Sequence, residues 1–252
     1  MDPFSFAPFA ALLEGAYRLL DGLAALLQPI AGASSAASAI LVVTMLVRLL
    51  LIPVGVSQVK AEGTRRRLHP QLLALQRRHS KDPSTLQKKT AALYRAENSS
   101  QFAGLLPALA QAPVLSVVYT LFIRTTIDGH ANSLLSQQLF SAPLGGSFLQ
   151  IVDLGGGGIL VYLVLFAALA GIAGVQRRVT LRAQLIDPAA PASAATLARA
   201  LSWMPFATML FAAVVPLAAA LYLAASAAWT LGERMLLRRR YWRGPERAAP
   251  PS

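Results

Sequence analysis

An arginine stands inside one of the most apolar stretches of this chain, and that residue constrains the fold more than any other. Residues 36–56 read AASAILVVTMLVRLLLIPVGV, close to the ~20 residues that carry a helix across a hydrocarbon core. Arg48 lies several residues inside either end, and an unpaired arginine at mid-bilayer costs about 2.5–3.5 kcal/mol. No acidic residue falls within the apolar runs to pair with it. The residues therefore predict a water-filled cavity open to the basic side of the membrane. The competing solution is pairing with phosphate headgroups in a thinned leaflet. Thr44 lies one turn earlier on the same face, its hydroxyl either lining the cavity or bonding back to its own helix.

Lipid is the solvent this composition suits. Only 13% of the 252 residues are charged and mean hydropathy is +0.52, against roughly a quarter charged in soluble domains. The expected architecture is all-α: a polytopic membrane protein with five spans, an N-terminal interfacial helix and a cytoplasmic helical hairpin. Residues 1–35 form an external N-terminus in which Glu14, Arg18 and Asp21 share one helical face, which fits a helix lying in the interface. The start, MDPFSFAPFAALLEG, lacks the basic n-region of a secretory signal.

The first span, 36–56, leads into a basic segment, 57–102. Its leucines fall on single helical faces, and Asp82-Pro83 makes an N-cap followed by a first-turn proline. The second span, 103–123, carries Pro107 and Pro113, which should kink it. Residues 124–157 form an external loop ending in four glycines, read as a flexible lead-in to the third span, 158–176. A basic loop, 177–199, follows. Residues 200–232 contain no charge and have Pro216 near their middle. They are one kinked helix or two short spans, 200–216 and 217–233, before a basic tail, 234–252.

Charge distribution decides between them. The segment 57–99 holds ten Lys/Arg, 177–199 four and the tail six, whereas Arg18 and Arg124 are alone on the other side. The positive-inside rule then places the N-terminus outside and the C-terminus in the cytoplasm, with two closing spans. A bacterial plasma membrane is the simplest address. Closing spans of roughly 16 residues reach only about 24 Å, short of the ~30 Å core, so local bilayer thinning is expected.

Polar residues inside spans are the site candidates. Gln111 serves either as interhelical glue or as cavity lining. Gln176, Ser202 and Thr208 are weaker versions of the same case, and Tyr222 and Trp203 are candidate belt aromatics. The basic residues Arg65, Arg66, Arg67, Arg77, Arg78, Lys88 and Lys89 make the 57–99 segment strongly positive. Protease, esterase and nucleotide-binding signatures are missing from the sequence. With no cysteine and three scattered histidines, neither a metal nor another cofactor is expected, and the chain does not read as an enzyme.

Several passages, in order, resemble the YidC/Oxa/Alb family of membrane protein insertases: TMLVRLLLIPVGVSQ, HPQLLALQRRHSKDPSTLQKKTAALYRAEN, LLPALAQAPVLSVVYTLF and WMPFATMLFAAVVPLAAALYLAASAAWTLGERMLLRR. The resemblance covers roughly residues 36–240. It implies a hydrophilic groove open to cytoplasm and lipid, where Arg48 attracts short external segments of nascent membrane proteins. Thr44, Gln111, Gln176 and Tyr222 accompany Arg48 in that substrate groove, and the basic hairpin faces client or ribosome. A Sec-type translocon is a further implied partner; the charge of the basic tail favours anionic lipids, and no specific nucleic acid is expected. Asn98-Ser99, Leu105-Leu106, Ala218 and Tyr222-Leu223 depart from the family pattern and mark a divergent member. A channel or transporter subunit using the same wet cavity is the alternative reading.

Overall fold

The computed structural model describes residues 7–100, 116–127, 130–153, 155–183 and 192–242. The described chain is mostly helical, and three stretches are long and apolar enough to cross a membrane: Ala11–Leu50, Ile159–Arg182 and Ala195–Val214.

Helix α1 (Ala7–Ala31) is followed by a 3-10 turn, Gly32–Ser34, and by α2 (Ser35–Leu50). The helix expected to lie in the interface packs chiefly on α2, with Leu13, Leu20 and Ala24 in the shared core. Its opposite face exposes Leu12, Leu19, Leu26 and Ile30. The Glu14–Arg18 ion pair is solvent-facing.

The helix carrying Arg48 does not run unbroken through residue 56. It stops at Leu50, and α3 (Ile52–Arg78) starts beyond Leu51. Pro53 is the physical reason: it offers no N–H to the preceding turn, and its ring crowds that turn's carbonyls. Helix α3 reaches a turn at residues 79–82, after which Asp82 caps α4 (Pro83–Ala96) by accepting from the Thr85 N–H at 3.0 Å. The Thr85 hydroxyl and N–H hold the Asp82 carboxyl below its ordinary pKa. Helices α3 and α4 pack against each other, and Leu68 and Tyr94 are buried.

Helical residues 116–123 form α5. The segment that follows is more ordered than a mixed loop. It holds two antiparallel strand pairs, Thr126–Ile127 with His130–Ala131 and Gln138–Leu139 with Ala142–Pro143, small departures from an all-α chain. Two short helices lie among them, α6 (Ser133–Ser136) and α7 (Phe148–Asp153). Asn132 ties the segment down, donating from Nδ2 to the carbonyls of Leu121 at 2.8 Å and Arg124 at 3.0 Å. The glycine run is shaped rather than merely pliant. Gly155, Gly156 and Gly158 have positive φ, and a Cβ on Gly158 would stand 2.7 Å from Ala142 Cα.

Helix α8 (Ile159–Ala183) leads by way of α9 (Ala192–Leu201) to α10 (Met204–Val214) and α11 (Leu217–Tyr241). Val215 and Pro216 are extended (ψ 159° and 149°). Trp203, at the start of α10, lies under the Arg177 guanidinium near the end of α8, so α10 runs antiparallel to α8. Helix α11 starts where the 144–146 segment accepts its first N–H groups, Leu217 to Gly146 at 2.8 Å and Ala218 to Leu144 at 2.9 Å. The chain therefore reverses at Val215–Pro216. The two helices are unequal: α10 has 11 residues and α11 has 25. Helix α11 does not end near Glu233, because the residues beyond it are good helix formers that do not need lipid to stay helical. At ~1.5 Å per residue it is longer than the hydrocarbon core, and the stretch Ala195–Val214 that ends in α10 has 20 residues, so neither closing segment has the shortfall in length behind the expected thinning.

Helices α2 and α11 run parallel. Their N-termini meet the same segment, through Ser35 to Gln137 and Leu217 to Gly146. There the pair is tightly packed, burying Ala36, Ala37, Ala39 and Ile40 against a core that includes Leu217–Ala220. Small side chains let helix backbones approach closely. Past Thr44 and Ser226 the burial ends on both helices, and the pair parts around polar residues.

Candidate functional site

The parting of α2 and α11 opens a cleft of about 280 Å³. Arg48 and Leu51 line it from the α2 end, Val54, Gly55, Gln58 and Val59 from the first turns of α3, and Thr230, Glu233, Arg234 and Leu237 from α11. The local sequence explains each wall. Pro53 ends α2 just beyond Arg48, leaving the guanidinium in the last helical turn, where the helix dipole favours a cation. The α11 lining residues fall at i, i+3, i+4 and i+7 and so share one face. Gly55 lets α11 come close: a Cβ there would overlap Glu233 Oε1.

Arg48 is half-buried and, among the described residues, closes no direct hydrogen bond or ion pair. Its electrostatic neighbour is Glu233, whose carboxylate also feels Arg234. Glu233 Oε2 accepts from Trp229 Nε1 at 2.9 Å, while Oε1 is buried with no hydrogen-bond partner. No acid closes an ion pair with Arg48 among the described residues, yet Glu233 shares the cleft with it. Glu233 follows the uncharged run and reads as the end of a span. Only the parallel packing of α11 on α2 and α3 brings it beside the arginine.

The other expected groove residues are dispersed. Thr44 is buried and donates to Ile40 O at 2.6 Å, which is the back-bonded alternative; it does not line the cleft. Tyr222 is buried in the core against Phe122, ring centroids 6.2 Å apart, two turns before Thr230. Gln176 is half-buried on α8 and is absent from the cleft walls. Gln111 lies outside the described residues. Gln58, Thr230, Glu233 and Arg234 are polar cleft residues that are not among the sequence-based candidates. Their one signal in the sequence is the charge pair Glu233-Arg234 directly after an uncharged run.

The basic segment divides into docked and outward-facing residues. Arg66 stacks on Trp242 at 4.4 Å, and Arg238 covers the same indole at 4.7 Å. Arg238 also bonds Glu62 Oε1 at 2.6 Å, and Trp242 Nε1 donates to Val59 O at 3.4 Å. This cluster pins the end of α11 to α3 immediately beyond the cleft. Arg67 pairs with Glu97 at 3.3 Å. Arg65, Arg77, Arg78, Lys88 and Lys89 are exposed on α3 and α4. At the opposite end of the fold, Asp21, Gln28, Gln137 and Gln138 line a second, polar cavity.

Residues 26–243 match the family model described as 60Kd inner membrane protein. Among curated relatives, the chain is 27% identical over 119 residues to the membrane protein insertase YidC of Clostridium perfringens, covering 47% of this chain and 50% of that one. It is 37% identical over 91 residues to YidC of Oceanobacillus iheyensis, 34% of this chain and 36% of that one. It is 38% identical over 91 residues to YidC 1 of Halalkalibacterium halodurans, 34% and 35%. The matched region thus spans half or less of the length of these relatives.

Proposed function

The chain belongs to the 60Kd inner membrane protein family, and from that premise we propose that it is a membrane protein insertase and chaperone of the bacterial cytoplasmic membrane. Short external segments of nascent membrane proteins enter the cleft beside Arg48, and their apolar helices pass from it into lipid. In this reading the protein has five spans, an external N-terminus and a cytoplasmic C-terminus. The cleft opens to the cytoplasm, and the α3–α4 hairpin, through Arg65, Arg66, Arg67, Arg77, Arg78, Lys88 and Lys89, meets client or ribosome. A Sec-type translocon and anionic lipids complete the partner set.

One observation carries the reading: a half-buried guanidinium with no direct partner among the described residues, at the end of a helix pair that is sealed at its other end. A cation so placed gives a carboxylate or a polar peptide segment a landing point part-way into the membrane. It lowers the cost of the crossing without consuming nucleotide. The decisive experiment is depletion of the protein followed by fractionation of small clients, with Arg48→Ala and Arg48→Lys supplied in trans. Insertion should fail with alanine and survive with lysine, since charge rather than a bidentate fork is needed. Normal insertion with Arg48→Ala would sink the proposal.

A further inference from the structure

One carboxylate lines the cleft together with two guanidiniums, those of Arg48 and Arg234, and that carboxylate is seated by shape. Glu233 Oε1 occupies the space above Gly55 that any side chain at position 55 would fill, and it gains no hydrogen bond there. Its other oxygen is held by Trp229 Nε1, one turn back on the same helix. Arg48 and Arg234 act on it electrostatically, yet neither closes an ion pair with it among the described residues. A carboxylate with a single direct hydrogen bond, beside a cation it does not clasp, is poised to be replaced.

We infer that Glu233 is a resident counter-ion, seated in the Gly55 notch, that occupies the anion position beside Arg48 until an acidic segment of an incoming chain displaces it. This rests on the insertase reading and deepens it by assigning a specificity-determining residue. The empty cleft would otherwise present Arg48 and Arg234 with no counter-charge. Glu233 supplies one from within the chain and sets a threshold: a neutral segment does not replace it, and an acidic one does. Trp229 reports the exchange, because its N–H loses an acceptor when the carboxylate leaves. Glycine at 55 is what lets the carboxylate be held by shape, so the seat can be blocked without removing the charge.

The test uses the full chain in nanodiscs of zwitterionic lipid. The probes are a labelled ten-residue peptide with two aspartates and its asparagine twin. Glu233→Gln removes the charge and keeps the shape. Gly55→Ala keeps the charge and fills the seat; the atom it meets is the far end of a flexible side chain, so the helix accommodates it. Both variants should bind the acidic peptide roughly threefold more tightly, the scale of one partly exposed charge contact, with the asparagine twin unchanged. Arg48→Gln should abolish the preference, and adding Glu233→Gln to it should change nothing further. Acidic peptide should shift the indole emission of the parent protein, and the shift should vanish in Trp229→Phe. If the parent prefers the acidic peptide through Arg48 but Glu233→Gln and Gly55→Ala bind it no more tightly, the counter-ion assignment is overturned while the insertase reading stands. If the parent binds neither peptide, both fall.

Discussion

Glu62→Gln should loosen the end of α11 without disturbing the rest of the molecule. The Arg238 guanidinium meets Glu62 at 2.6 Å, with side-chain exposures of 15% and 36%. Unit charges about 4 Å apart interact by roughly 4 kcal/mol at an effective dielectric near 20. Glu62 is more than a third exposed, so most of that is screened and offset by desolvation; exposed pairs retain about 0–1 kcal/mol. Arg238 is far less exposed and its Nε is already without a hydrogen-bond partner, which argues for the top of that range. A loss of about 1 kcal/mol corresponds to a roughly fivefold rise in the local opening constant. The assay is amide hydrogen exchange of the protein in nanodiscs. Amides of residues 238–242, including the Trp242 N–H bonded to Arg238 O, should exchange roughly fivefold faster, while those of α8 keep their rates. Raising salt toward 1 M should narrow the difference between parent and variant. Equal exchange in the two proteins, or acceleration spread evenly over α8, would refute the view that this pair pins α11 beside the cleft.

Other consequences are more local. Gly158→Ala forces a side chain into a positive-φ position against the Ala142 backbone and should cost roughly 1–3 kcal/mol, seen as a lower melting temperature in detergent. Gly157→Ala, which meets nothing within 4 Å, should melt like the parent. Tyr162→Phe removes the bond from the phenol to Gly146 O at 2.6 Å and should cost about 1 kcal/mol, the carbonyl keeping the Leu217 N–H. The Asp82 carboxyl titrates below its ordinary value in the folded chain. Its capping contribution is therefore full at pH above the usual carboxylate range and fades as pH falls through the depressed value. Exchange at the first turn of α4 should accelerate on acidification in the parent but not in Asp82→Ala.

What could be read from the sequence was local. Arg48 announces itself as a charge in an apolar run, and Asp82-Pro83 as a cap, because each signal sits within one helical turn. Pro216 marks a break, although the contact of Trp203 with Arg177 and the bonds of Leu217 and Ala218 to the 144–146 segment are needed to show that the chain turns back there. The cleft was harder to read because its walls come from distant segments. Glu233 reaches Gly55 only when α11 lies along α3, and no periodicity in either helix encodes that. Trp242 likewise reads as a tail residue until Arg66 and Arg238 stack on its ring. Thr44 and Tyr222 were expected beside Arg48 but face the sealed end, where buried alanines draw the helices together.

Insertion by this route requires a client segment in the cleft at Arg48. A photo-crosslinking amino acid placed at position 58, where Gln58 lines the cleft and Arg48 stays in place, tests it directly, in cells translating a stalled membrane-protein client. An occupied cleft gives crosslinks to the client's short external segment that appear at intermediate chain lengths and disappear once the helix has entered lipid. Crosslinks to lipid alone at every chain length, with the client still inserting, would contradict it.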